Sequence, residues 1–322
     1  MILSVLLPAY NNISKVPACL QSLAELHEHL PGNMEAIAVD DHSADGTFSY
    51  LQSKQAEYNW LALVRLDQNS GTPAVPRNEA LLHATGQFVC YLDSDDEIIP
   101  HGILSTLTAA STTGSEIVRS PLIRFDGQHH VVMNNIPSWS DTLSQQEKKE
   151  LIVRRTSPTP PAIYRRDFLL ERNLQWPRNL VLGEDAIFLY EALLFGRVEF
   201  DPEPIYIYNV ESLPDSQSAT HKYEEVQLRS HLRVWERSEE ILAELGLNYL
   251  EMRGAVSLNT AFSAMIKFNR SGISKDTFDD LAGFLIRRRE VVSGLKLIEQ
   301  ARQVLELVLE RDYAGFSEVI ST

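Results

Sequence analysis

Three carboxylates lie within four residues of one another, at Asp93, Asp95 and Asp96, in a segment we call the acidic turn (residues 93–96). It follows residues 88–92, a run of β-forming side chains, so the acids arrive where a predicted strand ends. Like charges at this spacing repel one another, and a hard divalent cation bound through oxygen relieves that repulsion. Mg²⁺ or Mn²⁺ is expected if phosphates share the coordination sphere. The alternative is a solvated acidic turn that caps a helix beginning near Pro100.

Four short apolar runs are typical of strands in a buried parallel sheet, and they cover residues 3–7, 36–40, 62–66 and 88–92. Helical spacing of apolar residues between the first two runs predicts a β-α-β unit. Tyr10, Asp41 and the acidic turn each follow one of these runs. The carboxyl ends of parallel strands meet at one edge of a sheet, where ligands bind. We therefore expect these residues to form one site.

The turn after the first run contains no glycine between residues 8 and 12, which excludes the dinucleotide fingerprint and the P-loop. Tyr10 instead offers a flat ring that could stack on a base. Asp41 could accept the imino proton of uracil, with helix capping as the alternative. Arg77 stands at a predicted helix start, where a cation opposes the helix dipole. An anion such as a diphosphate is therefore expected to share its site.

Charge and cysteine content restrict the partners and the compartment. With 44 acidic and 29 basic residues the 322-residue chain carries a net charge of -15, which disfavours binding to nucleic acid or anionic lipid. Cys19 and Cys90 are too few for a disulfide framework, so a reducing cytoplasm is expected. No apolar run approaches the ~20 residues of a membrane-spanning helix, and the amino terminus does not read as a secretion signal. Any membrane contact is expected to be peripheral.

The later part of the chain gives fewer signals. Residues 116–123 are predicted as a strand and residues 163–170 as a short helix. Between residues 148 and 178 eight basic side chains stand against three acidic ones, which indicates a face for an anionic acceptor or, alternatively, solvated helix faces. Beyond residue 222 four segments have helical apolar spacing. This helical region is expected to pack on the rest, to form a homo-oligomer or to dock the acceptor.

Together these segments resemble the family-2 glycosyltransferases, which are inverting enzymes of the nucleotide-diphospho-sugar transferase fold. The resemblance covers residues 4–208 and is carried by VLLPAYN (5–11), VDDHS (39–43), PRN (76–78) with ATG (84–86), LDSDD (92–96) and GED (183–185). It implies an α/β, Rossmann-like glycosyltransferase-A fold with a mixed, mainly parallel sheet. The catalytic domain is expected over residues 1–221 and the helical C-terminal region over residues 222–322.

The resemblance also implies roles for individual residues. Those expected to hold the donor are Pro8, Ala9, Tyr10, Asp41, Arg77, Asp93 and Ser94. Asp95 is expected to ligate the metal, and His221 is a second candidate ligand, with an ordinary surface histidine as the alternative. The family usually has an arginine just after an aromatic strand, where this chain has Asn209. Because of that departure, no residue is assigned to neutralise the charge of the diphosphate leaving group.

An inverting transfer also needs a group that takes the proton of the attacking hydroxyl. Asp185 is the predicted base and Glu184 is predicted to bind the acceptor, with a simple helix start as the alternative for both. Trp176 is a candidate platform for stacking on an acceptor sugar, and core packing is the alternative.

The predicted function is the transfer of a hexosyl or N-acetylhexosaminyl unit from a UDP-sugar, assisted by Mn²⁺ or Mg²⁺. The expected acceptor is a hydroxyl group of a surface polysaccharide, a teichoic-like polymer or a related glycan or polyol phosphate. The reaction is expected in the cytoplasm or at the inner face of the membrane. One alternative is a catalytically silent subunit that binds nucleotide sugars. Another is a nucleotidyltransferase, although such enzymes usually begin with a glycine-rich phosphate loop that this chain lacks.

Overall fold

The computed structural model describes residues 1–158, 161–210 and 223–321, which divide into two units. The first unit consists of Met1–Arg178 and Glu191–Ser212, and the second consists of Asn179–Tyr190 and Leu213–Thr322. Each unit has its own set of buried apolar side chains, as is typical of domains.

The first unit is an α/β structure. Its strands are β1 (Leu3–Ala9), β2 (Met34–Asp40), β3 (Leu61–Arg65), β4 (Phe88–Tyr91), β5 (Glu97–Ile98), β6 (Ile117–Arg119), β7 (Leu122–Phe125), β8 (His130–Met133), β9 (Ala162–Arg165), β10 (Val198–Phe200) and β11 (Tyr206–Asn209). Its helices are α1 (Val16–His29), α2 (Thr47–Glu57), α3 (Ala74–His83), α4 (Pro100–Thr113), α5 (Gln145–Arg155) and α6 (Arg166–Glu171). A further helix, α7 (Glu184–Phe195), begins in the second unit and ends in the first.

The main sheet has seven strands in the order β10-β6-β9-β4-β1-β2-β3. Four adjacent strands of this sheet, β4, β1, β2 and β3, run parallel to one another. Strand β9 runs antiparallel to both of its neighbours, β4 and β6. Every residue of β1 is buried, as expected for a strand covered on both faces by helices. The predicted mixed, mainly parallel α/β sheet is confirmed.

Strand β1 lies at the point where the strand order reverses. From β1 the chain proceeds outwards to β2 and β3, and it then returns to place β4 on the other side of β1. The register pairs Ala9 with Asp40 and Leu6 with Tyr91, so these three strands end at the same edge of the sheet. Ligands of open α/β sheets bind at such a switch point, beyond the carboxyl ends of the strands.

The four-stranded second sheet has the order β5-β11-β7-β8 and continues the chain from the acidic turn. The backbone N–H of Ile99 donates to Ile205 O at 3.0 Å, and α4 approaches the segment before β11 closely at Gly102. A Cβ atom added at Gly102 would lie 1.9 Å from Pro204 O, so only glycine fits there. This close approach places β11 beside the acidic turn.

Two sequence expectations for the first unit need correction. The predicted strand over residues 116–123 is two strands, β6 and β7, which belong to different sheets. The predicted helix over residues 163–170 begins with β9, whose apolar residues pair with β4 and β6, and only Arg166 starts the helix α6. In both cases pairing with distant strands overrides the local pattern.

The second unit is helical beyond residue 222, which confirms the predicted helical region. It contains α8 (Glu225–Glu244), a π-helical turn (Leu250–Gly254), α9 (Ala255–Phe268), α10 (Lys275–Ile286), α11 (Arg289–Ser293), α12 (Glu299–Leu309) and α13 (Tyr313–Ser321). Glu225 connects α8 to α10 because its carboxylate accepts hydrogen bonds from Ser274 N at 3.1 Å and Thr277 Oγ1 at 2.6 Å. Within the described part of the chain, no helix combines the length and hydropathy needed to cross a membrane.

A buried histidine in the second unit predicts a pH-dependent stability. His231 lies 2.8 Å from the hydroxyl of Tyr223 and stacks on Trp235, and burial lowers its pKa from 6.5 to about 4. The unfolded chain therefore takes up a proton at a higher pH than the folded chain. We expect the free energy of unfolding to fall by about 3 kcal/mol from this residue as the pH decreases from near 6.5 to near 4.

Urea unfolding of the full chain, followed by tryptophan fluorescence at pH 7.5 and pH 4.5, measures this effect. The variant His231→Gln should lose the His231 share of the pH dependence, whereas His83→Gln, at a histidine whose side chain is 47% exposed, should keep it. Equal pH dependence in the native chain and His231→Gln would contradict the prediction.

Candidate active site

The turns that follow β1, β2 and β4 are joined by hydrogen bonds. Asn11 N donates to Ser43 Oγ at 3.0 Å, and Asn12 Nδ2 donates to Ser94 Oγ at 2.9 Å. Asn11 adopts a positive φ of 47°, a conformation that asparagine tolerates better than most residues. The side chain of Tyr10, one residue earlier, remains 47% exposed. The predicted stacking residue is therefore available at the edge of the sheet.

Asp41 is buried at the end of β2 and holds the loop that follows β3. Its carboxylate accepts hydrogen bonds from Ser70 N at 2.9 Å, Ser70 Oγ at 2.8 Å and Asn69 Nδ2 at 3.2 Å. Two carboxylate oxygens offer about four acceptor positions, so capacity for a further donor remains. The helix-capping alternative does not apply to Asp41, because Asp45 is the residue that accepts from Thr47 N at the start of α2.

Arg77 binds one carboxylate of the acidic turn. Its Nη2 donates to Asp93 Oδ1 at 2.7 Å, and its side chain is 5% exposed. The anion that we expected beside this cation is therefore supplied, at least in part, by the protein itself. Asp93 keeps 29% of its side chain exposed, which leaves room for contact with a ligand.

Trp176 is a core residue of the first unit. It is 2% exposed and packs edge-on against Tyr91, and the guanidinium of Arg77 lies 4.2 Å from its ring. Its backbone is fixed by a pair of 2.8 Å hydrogen bonds with the side-chain amide of Asn78. This burial agrees with the core alternative and gives no support to a sugar-stacking platform.

Asp95 faces a cation, Lys15, that is not among the predicted site residues. Lys15 Nζ lies 3.6 Å from Asp95 Oδ2, and 37% of the Asp95 side chain is exposed. Burial of the carboxyl group and repulsion from Asp93 raise the pKa of Asp95, while Lys15 acts in the opposite direction. Lys15 occupies the N-cap position of α1, where a cation opposes the helix dipole. Lys15 therefore carries the same local signal as Arg77, a cation at the start of a helix.

Asp96 is held by β11. Tyr206 Oη and Asn209 N each donate to its carboxylate at 2.7 Å, and Asp93 N donates to Tyr206 Oη at 3.2 Å. The two bonds favour the charged carboxylate, but burial and then repulsion from Asp95 and Asp93 outweigh them and raise the pKa of Asp96 to about 9. The Asn209 side chain also donates to Asp95 O at 3.0 Å. Strand β11 thus fixes the shape of the acidic turn.

Replacing Tyr206 with phenylalanine is expected to lower the free energy of unfolding by about 2 kcal/mol, because a buried donor to Asp96 and a buried acceptor for Asp93 N are both lost. Urea unfolding measures the change. Tyr208→Phe on the same strand is the control, since the structure gives its hydroxyl no hydrogen bond to a described residue. Equal losses in the two variants would contradict the assigned contacts.

The residues of the acidic turn offer a divalent cation a weak site that phosphate oxygens of a ligand would complete. Among the described residues, no group of three or more His, Cys, Asp or Glu side chains could by itself hold a metal ion. Asp93 and Asp96 are committed to Arg77 and β11, which leaves Asp95 as the candidate ligand. One carboxylate together with phosphate oxygens is a donor set that Mg²⁺ and Mn²⁺ accept. The second predicted ligand, His221, lies outside the described residues.

The start of α7, which carries Glu184 and Asp185, is fixed within the second unit. Ser230 Oγ of α8 accepts from Val181 N at 3.2 Å and from Leu182 N at 3.3 Å. Gly183 follows with a positive φ of 81°. Glu184 and Asp185 are both partly exposed, and Asp185 Oδ1 accepts from Ala186 N at 2.8 Å. Both predicted acceptor-side residues thus stand on a well-anchored helix start.

The basic stretch at residues 148–178 is partly neutralised inside the first unit. The ammonium group of Lys148 is buried and lies 2.7 Å from a carboxylate oxygen of Glu199. On the surface, Arg154 pairs with Glu150 at 2.9 Å. These pairs weaken the prediction of an acceptor-binding basic face and favour the alternative of structural and solvated charges.

The chain is similar to a known protein family and to proteins of Bacillus and Staphylococcus. The profile described as "Glycosyl transferase family 2" matches residues 4–171. A poly(ribitol-phosphate) beta-glucosyltransferase of Bacillus spizizenii is 26% identical over 195 residues, which cover 60% of this chain and 30% of the relative. The poly(ribitol-phosphate) beta-N-acetylglucosaminyltransferase TarS of Staphylococcus aureus is 30% identical over 209 residues, which cover 64% of this chain and 35% of TarS. The matched segments span about a third of these relatives.

A crystal structure of S. aureus TarS residues 1–349 in complex with UDP-GlcNAc superposes with a TM-score of 0.69 at 22% identity, and it covers 99% of this chain and 90% of that one. This likeness supports the glycosyltransferase-A fold. Because the family profile covers more than half of the 322 residues, the chain belongs to glycosyl transferase family 2.

Proposed function

We propose that the protein is an inverting glycosyltransferase that moves a hexosyl or N-acetylhexosaminyl unit from a UDP-sugar to a hydroxyl group of a polyol-phosphate polymer or related surface glycan. The observation that carries this proposal is the convergence of the turns after β1, β2 and β4 at one sheet edge. That edge combines an exposed aromatic ring, an acceptor suited to an imino proton and a set of carboxylates. The UDP-GlcNAc complex of TarS supports a UDP-sugar as the donor.

In this proposal the donor is held by residues of the first unit. The ring of Tyr10 stacks on uracil, and Asp41 accepts the imino proton with the capacity that Ser70 and Asn69 leave unused. Asp93, oriented by Arg77, contacts the ribose or the sugar. A divalent cation at Asp95 would neutralise charge on the departing UDP.

Asp185 acts as the base in the proposed mechanism. It takes the proton of the acceptor hydroxyl as the oxygen attacks the anomeric carbon, while the bond from that carbon to the UDP oxygen breaks on the opposite face. The configuration at the anomeric carbon is thereby inverted. Glu184 orients the acceptor. The anchoring of Leu182 to Ser230 supports this role, because a base must be held in a fixed place to be effective.

The acceptor assignment rests on the relatives, whose names specify poly(ribitol phosphate). A cytoplasmic setting is also part of the proposal, and the free, buried cysteines Cys19 and Cys90 support it. Self-association through the second unit stays a prediction.

The test is release of UDP from a panel of UDP-sugars, with Mn²⁺ or Mg²⁺ and with or without poly(ribitol phosphate). We expect release that depends on both the sugar nucleotide and the polymer, and a β-linked product by NMR from an α-linked donor. Binding of UDP-sugars without any turnover would favour the silent-subunit alternative. An α-linked product would contradict the inverting mechanism.

A further inference from the structure

Lys15 holds a defined position beside the acidic turn. Its Nζ lies 3.6 Å from Asp95 Oδ2, and 23% of its side chain is exposed. The loop before it is fixed, because Asn12 Nδ2 donates to Ser94 Oγ at 2.9 Å and Lys15 N donates to Asn12 O at 3.0 Å. Lys15 is therefore attached by its own loop to the segment that carries Asp95.

The three acids of the acidic turn have three different sets of partners. Arg77 binds Asp93 in a nearly buried ion pair, and β11 donates two hydrogen bonds to Asp96. Asp95 is compensated by Lys15 across a longer and more exposed contact. Of the three acids, Asp95 therefore loses its partner most easily, since an exposed ion pair is weak and is screened by solvent.

A cation at the N-cap of α1 is unfavourable for the helix, and Lys15 forms no side-chain cap there. The unfavourable position of Lys15 is explained if an anion is always close to its ammonium group. Asp95 is that anion in the free protein. A lysine side chain is long and flexible and carries a compact charge, so it can follow a second anion placed a few ångströms away.

We propose that Lys15 neutralises Asp95 in the free protein and transfers to the donor diphosphate when a divalent cation binds at Asp95. This inference rests on the proposed function. Lys15 leaves Asp95 because it is repelled by the incoming cation, and it then donates hydrogen bonds to the diphosphate oxygens that accompany that cation. Lys15 thus weakens metal binding at Asp95 and strengthens nucleotide binding.

The variant Lys15→Met separates these two effects because they have opposite signs. Mn²⁺ alone, titrated by electron paramagnetic resonance, should bind about fivefold more tightly, since a competing cation is removed. UDP, titrated calorimetrically at saturating Mn²⁺, should bind about tenfold more weakly, since hydrogen bonds to a charged group are lost. Uridine, which has no phosphate, should bind unchanged. Lys15→Arg should retain UDP affinity to within about twofold, because a guanidinium group also donates charge-assisted hydrogen bonds to phosphate.

Lys54→Met is the matched control. The Lys54 side chain is 26% exposed, close to the 23% of Lys15, and it pairs with Glu57 on α2. Neither affinity should change in this variant. Unchanged affinities in Lys15→Met, or a joint fall of Mn²⁺, UDP and uridine affinity, would overturn the proposal by indicating no role or a purely structural one. A native chain that binds no UDP with Mn²⁺ present would instead refute the proposed function itself.

Discussion

Asparagine in place of Asp185 is expected to lower the rate of sugar transfer by about a thousandfold while UDP binding stays within about twofold. The amide cannot accept the proton of the acceptor hydroxyl, so the attacking oxygen loses its base. The substitution preserves the side-chain oxygen that accepts from Ala186 N, so the start of α7 should remain intact. Single-turnover transfer and calorimetric UDP binding, measured on the same preparation, check both halves of this expectation.

Glu191→Gln is the matched control for that experiment. Glu191 lies on the same helix, six residues further along, and it has no assigned part in the reaction. Its variant should transfer sugar at the native rate. Near-native transfer by Asp185→Asn would show that another group is the base, and a joint loss of UDP binding would assign Asp185 to the donor instead.

The second large effect is expected from Asp95→Asn, which should lower metal-dependent transfer by about a hundredfold or more. The asparagine keeps an oxygen but removes the negative charge, which is the main attraction for a divalent cation. Tyr206 and Asn209 still hold Asp96 in this variant, so the fold of the acidic turn should be unaffected. Transfer rate as a function of Mn²⁺ concentration is the informative measurement, because a lost ligand also moves the curve to higher concentration.

Asp126→Asn provides the control for this charge change. The Asp126 side chain is 27% exposed in the first unit and accepts hydrogen bonds from Gln128 N and His129 N. Its variant should have the native Mn²⁺ dependence. If Asp95→Asn also kept the native dependence, the cation would not be bound by the acidic turn.

The main sheet could be predicted from local sequence because its central strands are continuous apolar runs. Residues 3–7 and 36–40 are buried on both faces in β1 and β2, so their hydrophobicity alone indicates their place. Each run ends within two residues of the observed end of its strand, and the largest difference is at β1, which continues through Pro8 to Ala9. Tyr10, Asp41 and the acidic turn are therefore brought to one edge for a reason that a single sequence contains.

The support of the acidic turn could not be predicted in this way. Tyr206 and Asn209 reach Asp96 across 110 and 113 residues, and no local pattern indicates a contact between positions so far apart. Trp176 illustrates the same difficulty, because its environment depends on Asn78 from a distant helix. Lys15 differs, because a lysine at the start of a helix is unfavourable and can be recognised from the local sequence. The same reasoning predicted a nearby anion for Arg77 but was not extended to Lys15.

The attachment of Asp96 to β11 also has a consequence for biosynthesis. When a ribosome has just added Asp96, the partner Tyr206 is still 110 residues away from being made. At the usual rate of translation this interval lasts about 5–20 s. During that time β1 to β4 can already assemble, but the three neighbouring acids lack the donors that later hold them. The acidic turn is therefore among the last parts of the first unit to reach its final structure on the nascent chain.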